Sequence, residues 1–116
     1  MNKELNLLLK KAKELDWEVE NVDGNVYNFQ QFSPAGQDFF FDIDTKNNPV
    51  LFLDNLLNYY QGYDVSEEAY YWLDNTGHGK NGAPYEMIDV YKDFEECEQM
   101  ILDLYNDLYS YYNKLP

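Results

Sequence analysis

Five carboxylates near the end of this chain fall on one face of a helix. They are Asp89, Asp93, Glu96, Asp103 and Asp107, with Met100 filling the gap and Glu86 beginning the row. Helical residues three or four apart are separated by about 4.5–6 Å along the axis, so positions 89 to 107 span roughly 27 Å. Phosphates along one DNA strand repeat at a distance of the same order. A rigid row of this kind presents negative charge to a cationic cleft. Glu67, Glu68 and Asp74 form a neighbouring cluster. A charged stripe opposite an apolar one ordinarily only keeps a surface helix wet. Here the counter-charge is missing: only Lys92 and Lys114 accompany eight acids from residue 86 onward. Like charges at i and i+4 (Asp89/Asp93, Asp103/Asp107) cost a few tenths of a kcal/mol each. A local violation without local gain is expected at functional surfaces.

Other chemistry finds little support. Asp42-x-Asp44-x-Lys46 opens like a calcium loop, but Lys46 takes a ligand position and Leu53 stands where the bidentate Glu belongs. The Gly77–Gly82 segment lacks the GxxxxGK[ST] pattern of a phosphate loop. One histidine, His78, and one cysteine, Cys97, are too few for a His/Cys metal site and a poor basis for a nucleophile–base pair. No acid pair is singled out for acid–base catalysis. The expectation is a protein that is not an enzyme and needs no metal or cofactor.

The whole chain repeats the theme. Its 116 residues contain no arginine, eight lysines and 22 acids, for a net charge of -14. Four lysines against Glu4 make residues 1–13 locally positive, so the remainder is more negative than the total. Direct binding to nucleic acid is disfavoured, because it needs cations to displace condensed counterions. The expected partner is a basic protein surface. Twelve tyrosines are many for this length. Tyr59, Tyr60, Tyr63, Tyr70, Tyr71, Tyr109, Tyr111 and Tyr112 cannot all be core. They either pack at its margin or form a binding patch. A lone cysteine, no signal-like N-terminal apolar run and no membrane-length apolar stretch suggest a cytoplasmic protein.

The elements that position these groups follow from periodicity. Asn2 caps a helix over about residues 3–16, with Leu5, Leu8, Leu9, Ala12 and Leu15 on one face. Three strands follow: Trp17–Val22, Val26–Phe32 and Asp38–Ile43, separated by turn signals at Asp23-Gly24-Asn25 and Ser33-Pro34-Ala35-Gly36. Phe39, Phe41 and Ile43 point inward, while Glu18, Glu20, Asp38, Phe40, Asp42 and Asp44 share the other face. This acidic sheet face is a possible second row. Asn48-Pro49 opens a helix ending near Gly62. Ser66-Glu67-Glu68 opens a short one, Gly77–Pro84 reads as a loop, and the last helix runs from about 86 to 114. The prediction is a single α+β domain over residues 1–116, its helices packed on one face of an antiparallel meander.

Short, acidic, tyrosine-rich domains of this type resemble the small proteins that phages and mobile elements direct against CRISPR or restriction nucleases. The segments Phe32-Ser33-Pro34-Ala35-Gly36-Gln37-Asp38-Phe39 and Tyr63-Asp64-Val65-Ser66-Glu67-Glu68 are also similar to an uncharacterised family of gut Firmicutes. The resemblance of type implies an inhibitor in a bacterial host cell that mimics DNA in the basic channel of a nuclease, Cas9-type first and restriction second. The alternative expectation is a regulatory adaptor that binds a basic partner through an aromatic patch with an acidic rim.

Overall fold

The computed structural model describes residues 2–69 and 87–116, with side chains in the second segment described from Val90 onward. Helix α1 (Lys3–Glu14) begins where the Asn2 side chain accepts the Leu5 N–H at 3.0 Å. It buries Leu5, Leu8, Leu9 and Ala12. The helix stops two residues short of the expected Asp16, because Asp16 turns to φ 74. The Asp16 N–H then bonds the Lys13 carbonyl at 3.1 Å and the Trp17 N–H the Ala12 carbonyl at 3.2 Å. This is a Schellman closure with aspartate where glycine is usual.

Strands β1 (Glu18–Asp23), β2 (Val26–Phe32) and β3 (Asp38–Asp44) form the antiparallel meander in the order β1-β2-β3. Gly24 supplies the positive φ at the first turn, and the register shifts between Asn21 and Asp23, leaving Val22 as the extra residue. At the same end, just past β3, Thr45 is fully buried and bonds the Asn25 carbonyl through both N–H and hydroxyl. Helix α2 (Pro49–Gly62) follows, with the Asn48 side chain accepting the Val50 and Leu51 amides. The short helix α3 (residues 65–69) starts from Asp64, whose carboxylate accepts the Glu67 N–H at 3.1 Å, rather than from Ser66. Tyr70, Tyr71, Asp74, His78, the Gly77–Pro84 stretch and Glu86 lie outside the described residues. Helix α4 (Met87–Asn113) closes the fold.

The helices gather on one face of the sheet, the α+β arrangement expected from the sequence. Phe29, Phe39, Phe41 and Ile43 meet Leu8 and Trp17, Phe52 and Leu56, and Ile101, Leu104 and Leu108 in one core. Its centre is aromatic: Phe29 stacks on both Phe41 and Phe52 at 5.7 Å, and Trp17 meets Phe41 edge-on at 5.5 Å. Among the described residues no helix is long and apolar enough to cross a membrane.

Candidate functional site

The carboxylates of α4 separate into two kinds. Asp93 is buried, only 4% exposed. It accepts hydrogen bonds from the Ser33 hydroxyl (2.8 Å), the Ala35 N–H (3.0 Å) and the Gln37 side-chain amide (2.8 Å). It therefore fastens the β2–β3 turn to α4 and is not part of a surface row. This corrects the sequence reading. The signal was present: Asp93 lies three residues after Val90 and four before Cys97, both fully interior, so it falls on the edge of the apolar stripe. Glu96, Asp103 and Asp107 are exposed. Asp103 accepts the Gln99 side-chain amide at 2.9 Å and keeps its place at the surface. Asp89 lies on α4 with its side chain outside the described residues, and Asp74 is outside them altogether.

Asp103 and Asp107, one helical turn apart, border a recess of about 160 Å³ floored by Leu15, Trp17, Gln31, Met100 and Leu104. Gln31 also lines a second recess, about 190 Å³, whose other walls are Asp16, Glu18, Gln30, Phe32 and Asp38. Leu15 and Asp107 continue into a third with Lys11, Ser110, Tyr111 and Lys114. Neighbouring recesses share lining residues: Gln31 in the first and second, Leu15 and Asp107 in the first and third. Gln31 thus stands between a recess bordered by Asp103 and Asp107 of α4 and one bordered by Asp16, Glu18 and Asp38. In the third recess the Lys11 ammonium sits 5.4 Å from the Tyr111 ring centroid, while Lys114 is exposed.

The sheet face owes its charge to strand alternation. Glu18, Glu20, Asp38 and Asp42 are exposed there, with Asn28 donating to Asp42 at 2.9 Å. Asp44 stands at the far end of β3. The Lys46 backbone N–H, donating at 2.8 Å, holds its carboxyl below the usual carboxylate range, helped by the Lys46 ammonium at 3.3 Å. That contact is the one ion pair among the described residues. No group of three His, Cys, Asp or Glu side chains among them converges as metal ligands do. No protein-family model matches the chain, and no curated protein or solved structure gives a significant match. Its surface chemistry has to speak for itself.

Glu67 and Glu68 line none of these three recesses. Glu67 is exposed on α3, while Glu68 is half-buried and held above the usual carboxylate range by burial first, then by Glu67 and Asp64. Glu68 faces the Tyr59, Tyr63 and Cys97 neighbourhood, where burial pushes the Tyr59 hydroxyl and the Cys97 thiol each up to about 12. At neutral pH Cys97 is thus a protonated core group and a poor nucleophile. The described tyrosines mostly sit at the core margin: Tyr63 is buried, and Tyr59, Tyr60, Tyr111 and Tyr112 are half-buried. The strongly exposed aromatics are phenylalanines instead, Phe32 and Phe40. Phe40 was readable from strand alternation. Phe32 ends its strand beside the turn, where alternation alone says little.

Proposed function

We propose that this chain is a non-catalytic protein ligand for a basic groove that otherwise holds nucleic acid. Its first candidate partner is a defence nuclease of Cas9 or restriction type. It would act by placing carboxylates where phosphates belong. The observation that supports the reading is that Asp103 and Asp107 border one recess and Asp16, Glu18 and Asp38 another, with Gln31 common to both and the sole ion pair of the described residues elsewhere. The spacing is also suitable. Asp103 and Asp107 lie about 6 Å apart along the helix axis and Glu18 and Glu20 about 6.8 Å apart along their strand, within a factor of two of the axial rise per phosphate in one DNA strand. Channels that hold a guide–target heteroduplex are positively charged along their length.

The second reading, an adaptor that binds a basic protein without imitating DNA, is favoured by Phe32 and Phe40 on the same acidic face. The two separate in one experiment. The protein is immobilised, exposed to a bacterial lysate at low salt, and the retained proteins are identified by mass spectrometry. For the mimic, a basic nuclease is retained, and excess oligonucleotide or moderate salt releases it. For the adaptor, a basic protein is retained and oligonucleotide does not release it. Retention of only neutral or acidic proteins defeats both.

A further inference from the structure

The face of the sheet turned away from the helices has no covering element among the described residues, yet two phenylalanines stand on it. Phe32 is 70% exposed and Phe40 60%. The register sets Phe40 opposite Gln30 and Phe32 opposite Asp38, which makes the two rings diagonal neighbours, within reach of each other. A cross-strand aromatic pair contributes only about 0.2–1 kcal/mol, and at this exposure most of the apolar area of both rings remains in water. Around them are Glu18, Glu20, Asp38 and Asp42, all exposed. Beside Phe32 opens the recess of about 190 Å³, with Asp16, Glu18 and Asp38 among its walls and no lysine.

We propose that this face is a docking surface for an arginine-bearing segment of a basic protein, with one arginine seated in the recess beside Phe32. The assignment rests on the reading that the partner is basic, and adds where it is held and by which side chain. Charge complementarity selects a cation, and the aromatic selects arginine over lysine. A guanidinium is planar, weakly hydrated and able to stack on a ring while its fork of donors reaches carboxylates. An ammonium is compact and strongly hydrated, and leaves the ring face unused. Phe32 supplies the face, Asp16, Glu18 and Asp38 the acceptors, and Gln30 and Gln31 neutral amide oxygens. A second copy of this chain is a poor occupant, since two acidic faces repel.

The test titrates the isotope-labelled protein with an arginine homopeptide and a lysine homopeptide of equal length, followed by NMR. The arginine peptide is expected to bind about 10-fold more tightly. Its shifts should concentrate at residues 16–18, 30–32 and 38–40. Phe32→Thr should remove the preference while leaving the lysine peptide's affinity unchanged. Phe40→Thr, expected to weaken the preference in part, guards against a folding defect in the first variant. Equal affinities, or shifts confined to α4, overturn this docking face. If the captured nuclease is still inhibited in that case, the broader reading stands. Failure of both peptides to bind removes the two together.

Discussion

Asp93 and Asp103 are the same residue type ten positions apart on α4, and their surroundings give them opposite tasks. Asp93 satisfies three donors of the β2–β3 turn in the interior, whereas Asp103 is exposed beside an open recess. Replacing Asp93 with alanine leaves the Ser33 hydroxyl, the Ala35 amide and the Gln37 amide without their acceptor. Hydrogen bonds to a charged group and stranded buried donors each carry about 1–3 kcal/mol. Asp93→Ala should therefore cost about 3 kcal/mol in urea unfolding, and Asp93→Asn, which keeps one acceptor oxygen, clearly less. Equal stability of Asp93→Ala and the parent would refute the fastening role. The same turn positions Phe32 and Asp38, so this buried acid supports the proposed surface without touching a partner.

At the scale of elements, the strands were legible because alternation and turn residues agreed. Val26–Phe32 matches its expected bounds, and Phe39, Phe41 and Ile43 point inward as read. The α2 start was equally plain from Asn48-Pro49. The first strand lies one residue later than expected, at Glu18–Asp23, and the end of α1 and the start of α3 moved for local reasons. Asp64, three residues before Glu67, outcompetes Ser66 as the α3 cap, a spacing the capping-box pattern contains. Asp16 ends α1 by adopting a left-handed conformation, which apolar periodicity does not reveal. That Gln31 borders both the recess of Asp103 and Asp107 and that of Asp16, Glu18 and Asp38 was not legible, because it depends on how α4 packs in the tertiary fold. Glycine takes the Asp16 conformation without a Cβ penalty. Asp16→Gly should therefore stabilise the fold by about 0.5 kcal/mol while weakening binding to a basic partner. A loss of stability in thermal unfolding would show that the Asp16 side chain, and not its backbone, shapes the turn. An acid at a position that glycine suits better is consistent with a residue kept for its charge.

For the whole molecule, a net charge of -14 on 116 residues opposes compaction, and a large aromatic core offsets it. A cationic surface placed over these acids would relieve the repulsion, which would tie stability, salt sensitivity and partner choice to one cause. The central claim is that these carboxylates form a template for such a surface. Its most direct measurement is substrate cleavage by a nuclease that the immobilised protein retains, with increasing amounts of the parent protein or of the double variant Asp103→Lys with Asp107→Lys. Both side chains are exposed, so circular dichroism and melting should show the fold intact. The variant should need at least about 10-fold more protein for the same inhibition, because two attractive contacts become repulsive. Undiminished inhibition by a folded double variant would contradict the account.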